Sequence, residues 1–105
     1  MNNSEFCRLM DAWAEEEAEN ARKAQEIGDE REHSISLMKE SMYRTMLKTI
    51  GLKAPARLTA AAEEMTARAE RHSQNGDIDS ADRCLLQRAC IERVMELINE
   101  MEGGI

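Results

Sequence analysis

The segment Glu30-Arg31-Glu32-His33 contains a Glu-x-x-His spacing. On a helix this puts a carboxylate and an imidazole on one face, as carboxylate-bridged di-iron bundles require. Such a centre needs a second Glu-x-x-His and two further carboxylates. The other histidine, His72, has Ala69 three residues before it, so the motif is not repeated. No metal site is expected. Cys7, Cys84 and Cys90 are an odd number of thiols. Cys84 and Cys90 are six apart, about 240° around a helix, and do not share a face. Free, reduced structural cysteines are the expectation. Gly28 and Gly76 are single glycines and begin no phosphate-binding loop. No cofactor and no catalytic constellation emerge, and a non-enzyme is expected.

The elements that hold these residues read as helices throughout, an all-α chain. Helix A is expected from about Glu5 to Ile27, with Ser4 as N-cap and an apolar stripe of Phe6, Leu9, Met10 and Trp13. Helix B is expected from Glu30 to Ile50, with Ile35, Met38, Met42 and Met46 three or four apart. Gly51 should end it, with Leu52 folding back as in a Schellman cap. Residues 51–55 form the linker, and Pro55 suits the first turn of the next helix. Helix C should run from Ala56 to Gln74, and helix D to about Glu102, with Asp77 or Asp79 as its cap. Ile78, Ala81, Leu85, Ala89, Val94, Met95 and Ile98 form its expected buried face. Cys84 and Ile91 lie at the margins. Gly103-Gly104-Ile105 reads as a frayed tail.

Residues 9–50 and 57–98 align without gaps at an offset of 48. Gly28-Asp29 falls on Gly76-Asp77, and Ala12, Ala14, Glu15, Glu16 and Ala21 fall on Ala60, Ala62, Glu63, Glu64 and Ala69. The chain therefore reads as one domain, 1–105, of two antiparallel helical hairpins, about 5–50 and 56–102. They would form a four-helix bundle or a short stack. Residues 67–81, with Gly76 at the turn and Ala81 five positions on, resemble a tetratricopeptide hairpin. His33 stands in the first unit where Ala81 stands in the second. The resemblance implies protein or peptide binding on a helical surface.

The net charge is −7, which argues against direct nucleic-acid binding. No apolar run approaches the ~20 residues of a membrane span, and the N-terminal residues are no signal peptide, so a cytoplasmic location is expected. Charge is segregated along the chain. Residues 1–36 carry a net −6, 37–57 a net +4, and 58–105 a net −5. Glu15, Glu16, Glu17 and Glu19, with Glu63 and Glu64 of the second unit, form a candidate acidic partner-binding face. Lys39, Arg44, Lys48, Lys53 and Arg57 form a candidate basic patch. The bland alternative for both is solvated helix surface, with Lys48 complementing a helix C-terminus. Phe6, Leu9, Met10 and Trp13 are a candidate homo-oligomer interface, since a chain this short buries little surface alone.

These features point to an acidic helical module that covers the surface of another protein. One alternative is a small phage-type inhibitor that mimics nucleic-acid charge and blocks a basic nucleic-acid-binding defence protein such as a CRISPR effector. A second is a structural homo-oligomer.

Overall fold

The computed structural model describes residues 3–103; Met1, Asn2, Gly104 and Ile105, which include the N-terminal end and most of the expected tail, lie outside the described residues. It is all-α. The helices are α1 (Asn3–Glu26), α2 (Glu30–Arg44), α3 (Met46–Lys53), α4 (Arg57–Gln74) and α5 (Ile78–Gly103). The chain divides into two compact units, Met1–Leu52 and Lys53–Ile105. In the first, α1 packs on α2; in the second, α4 packs on α5.

Both hairpins reverse by the same chemistry. Gly28 and Gly76 take positive φ, 77° and 78°. A Cβ is disfavoured there, and glycine suffers no penalty. In hairpin 1 the Asp29 amide bonds Ala24 O at 2.9 Å and the Gly28 amide bonds Gln25 O at 3.2 Å. In hairpin 2 the Asp77 amide bonds His72 O at 2.8 Å and the Gly76 amide bonds Ser73 O at 3.0 Å. These are the paired bonds of a Schellman motif. The next residue then caps the following helix: Asp29 Oδ1 accepts from the Glu32 amide at 3.1 Å, and Asp77 Oδ1 from the Ser80 amide at 3.1 Å. Three residues thus end one helix and start the next.

Several expected boundaries move. Ser4 is not an N-cap, because α1 already includes Asn3 and Ser4. Ile27 lies past the helix end and is 80% exposed. The long helix B is broken at Thr45, where φ is −120° and ψ −84°. The Thr45 hydroxyl donates to Ser41 O at 2.7 Å, the back-bonding by which a threonine bends a helix. Gly51 does not end a helix; it lies inside α3, without positive φ. It is small because the buried Phe6 ring packs against it, so close that an added Cβ would lie 3.0 Å from Phe6 Cε1. Pro55 precedes α4 rather than entering its first turn, and its carbonyl accepts from the Leu58 amide at 3.1 Å.

Hairpin 1 buries Phe6, Met10, Ala14, Ala21 and Ala24 of α1 with Ile35, Met42, Tyr43 and Leu47. Trp13 meets Tyr43 edge-on, ring centroids 5.5 Å apart at 72°. Hairpin 2 buries Leu58 and Ala69 of α4 with Ala81, Cys84, Cys90, Ile91 and Val94 of α5. The α5 seam is therefore rotated from the expected one. Cys84 and Ile91 are core, not margin, while Ile78 (57% exposed), Leu85 (39%) and Ala89 stand outside it. Gly51→Ala is expected to cost about 1–3 kcal/mol by overpacking against Phe6. Urea unfolding reads this directly, and an unchanged midpoint would mean that the ring yields freely.

Candidate functional site

The charge segregation of the sequence is largely consumed within hairpin 1. Asp11 meets Lys48 at 2.9 Å, Glu15 meets Arg44 at 2.8 Å, and Glu17 meets Lys39 at 3.8 Å. Climbing α1 by four residues from Asp11 to Glu15 matches descending four from Lys48 to Arg44, as antiparallel helices demand. Arg44 also holds Glu40 at 3.0 Å. Its guanidinium pKa is raised above the ordinary value, by the Glu15 hydrogen bond first and the Glu40 bond second.

The candidate acidic face is correspondingly reduced. Glu17 is buried, accepts from Asn20 Nδ2 at 2.9 Å and faces Lys39, so it does not belong to an exposed face. The Glu19 carboxyl is lowered by its hydrogen bonds from Arg22. Glu64 is lowered by Arg68, 2.9 Å away, with Arg71 at 3.6 Å. Glu16 and Glu63 are exposed and join no ion pair among the described residues. Of the candidate basic patch, Lys39, Arg44 and Lys48 are the α1 clasps just described. Lys53 and Arg57 are exposed and belong to the second unit. The candidate oligomer interface is also corrected. Phe6 is 2% and Met10 0% exposed, Leu9 is half-buried, and Trp13 lies half-buried against Tyr43. These residues form the core of their own hairpin because α2 and α3 cover the stripe.

His33 Nδ1 lies 2.8 Å from Ala21 O, so a protonated Nδ1 donates across the hairpin to α1. Among the described residues no group of three or more His, Cys, Asp or Glu could hold a metal ion. Cys7, Cys84 and Cys90 are free thiols, the last two buried. No helix of the described residues is long and apolar enough to cross a membrane.

Hairpin 2 has one concavity between Pro55, Leu58, Met95 and Ile98, and a second, a groove with exposed apolar side chains, that sequence reasoning missed. The groove runs between α4 and α5, lined by Thr66, Ala69, Glu70, Ser73, Ile78, Ala81, Asp82 and Leu85. Its floor is made by Ala69 and Ala81, and the exposed Ile78 and Leu85 line its α5 side. At the 48-residue offset, Ala21 and His33 stand for Ala69 and Ala81. In hairpin 1 the imidazole crosses that floor, and a depression of about 460 Å³ lies instead at the turn, lined by Gln25, Gly28, Asp29, Glu30 and His33, against about 360 Å³ for the α4/α5 groove. A signal for the groove existed in the His33/Ala81 difference, but the rotated α5 seam concealed it. No protein-family model, no curated protein and no solved structure matches the chain.

Two expectations follow. Asp11→Lys should lower stability, and adding Lys48→Asp should recover part of the loss, with a coupling of about 0.2–1 kcal/mol in a double-mutant cycle. A zero coupling would remove the clasp. The Asp77 carboxyl is lowered on folding from 3.8, by its hydrogen bonds with the Ser80 hydroxyl and amide first. Its stabilisation is complete above the unfolded value and is lost as pH falls through the folded one. Amide exchange at Ser80, corrected for intrinsic rate, should therefore show protection that drops below about pH 4, and Asp77→Asn should flatten that drop.

Proposed function

We propose that this chain is a non-enzymatic protein-interaction module whose contact surface is hairpin 2. The observation that carries the reading is the α4/α5 groove, where Ile78 and Leu85 remain exposed beside an alanine floor. Exposed apolar side chains grouped around a concavity are the usual mark of a recognition surface. Hairpin 1 supports the assignment by contrast. Its aromatic stripe is buried, Asp11, Glu15 and Glu17 meet Lys48, Arg44 and Lys39, and His33 occupies the corresponding floor, while its exposed Ile27, Leu37 and Met46 line no comparable groove between its helices among the described residues. Hairpin 1 then serves as scaffold. Three free thiols suit a reducing, cytoplasmic setting.

The charge-mimic reading, in which the chain occupies the nucleic-acid groove of a basic defence protein, is favoured by one observation: Glu16 and Glu63 are exposed and outside any ion pair among the described residues. It is weaker because the other four carboxylates of the candidate face have internal cationic neighbours. A homo-oligomer built on Phe6 and Met10 would have to open hairpin 1 first.

The two main readings predict different sensitive residues. Capture from native host lysate, followed by titration of the purified partner, should give saturable binding. Ile78→Asp with Leu85→Asp should weaken it about tenfold or more, while Glu16→Lys with Glu63→Lys leaves it little changed. The reverse pattern, with steep salt dependence, would transfer the function to the charge-mimic reading. No saturable partner would remove both.

A further inference from the structure

We propose that the α4/α5 groove receives an amphipathic helix of a partner protein, with an apolar ridge bordered by Lys or Arg. This rests on hairpin 2 being the contact surface and adds the chemistry of what it binds. The groove wall is helical in spacing: Ile78, Ala81, Asp82 and Leu85 stand at i, i+3, i+4 and i+7. A third helix laid along two antiparallel ones meets that spacing with its own ridge, and the small floor of Ala69 and Ala81 lets it approach closely. An extended strand would find no unpaired backbone edge in this wall, because α4 and α5 use their amides internally.

The border decides the charge of the occupant. Glu70 on α4 and Asp82 on α5 flank the apolar floor from opposite sides. Glu70 is exposed and joins no ion pair among the described residues. Four arginines of hairpin 2 already face carboxylates: Arg68 and Arg71 on Glu64, Arg83 on Asp79 and Arg88 on Glu92. Residues 58–105 carry ten acidic against five basic side chains, a net negative charge that favours a cationic partner. A second copy docking two-fold would set this same acidic border against itself, which disfavours self-association through the groove.

The test uses the full chain and a labelled synthetic peptide of about 18 residues, long enough for a helix. Its leucines repeat at i, i+3, i+4 and i+7, with lysines on either side. Controls are a scrambled peptide and one with glutamate for lysine. Fluorescence anisotropy should show saturable binding of the lysine peptide, weakened by added salt, and no binding of either control. Leu85→Asp should weaken it about tenfold or more. Ala81→His, which copies His33 and covers the floor, should do the same. Circular dichroism confirms that each variant is folded; if Ala81→His unfolds, the exposed Leu85 carries the test alone. Equal binding of the scrambled peptide, or binding indifferent to Leu85→Asp, overturns the proposal. So does a free chain that sediments as a dimer and becomes monomeric with Leu85→Asp, which makes a second copy the occupant. If the peptides fail while a captured partner is still lost on Leu85→Asp, hairpin 2 stands as the contact surface and only this occupant falls. If the captured partner is also indifferent, the wider reading falls with it.

Discussion

Each hairpin depends on a left-handed glycine followed at once by a capping aspartate. The glycine ends one helix with two Schellman bonds, and the aspartate begins the next by accepting an amide three residues on. A helix leaves four amide donors unpaired at its N-terminus and four carbonyl acceptors at its C-terminus, so a short reversal must satisfy one end of each kind in a few residues. Gly28-Asp29 and Gly76-Asp77 do so. The antiparallel register then follows, and with it which side chains meet across the seam. Asp11 finds Lys48, and Glu15 finds Arg44, because both are counted from the same turn.

That register changes the meaning of the charge distribution. Along the sequence, an acidic block and a basic block suggest two surfaces for partners. In space, α2 and α3 fold the basic block back over α1, and the two blocks meet. Exposed ion pairs of this kind add little stability singly. They mark the register of α2 and α3 on α1, although a slip of one turn would still set Glu15 against Lys48 or Asp11 against Arg44. Hairpin 2 shows its ion pairs mainly along single helices, Glu64 with Arg68, Asp79 with Arg83, and Arg88 with Glu92. One polar contact across its seam is Arg88 Nη1 to Thr66 Oγ1 at 3.3 Å.

The two hairpins share a turn and differ in what fills the seam beside it. An imidazole in one and a methyl group in the other move the concavity, which lies at the turn beside His33 in hairpin 1 and over Ala69 and Ala81 in hairpin 2. The rotation of α5 reinforces this. Cys84, Ile91 and Val94 take the seam, and Ile78 and Leu85 are left at the groove edge. A helix with apolar residues on most of its circumference offers several stripes of similar hydrophobicity, so periodicity alone cannot select among them.

The sequence by itself determined the all-α class, the two hairpins and the Gly-Asp turns, because glycine at positive φ, aspartate caps and helical spacing are local properties of the chain. It misplaced the break at Thr45 and the role of Gly51. Local propensity sees a helix stop at Gly51, whereas the reason for that glycine is a phenyl ring 45 residues away. Only the tertiary structure decided that Phe6 and Met10 are core, that Glu17 is buried against Lys39, and that Ile78 and Leu85 of α5 stay exposed, as Ile27, Leu37 and Met46 of the first unit do. Each of these depends on which face of one helix meets another, and that choice is made by packing between segments distant in sequence.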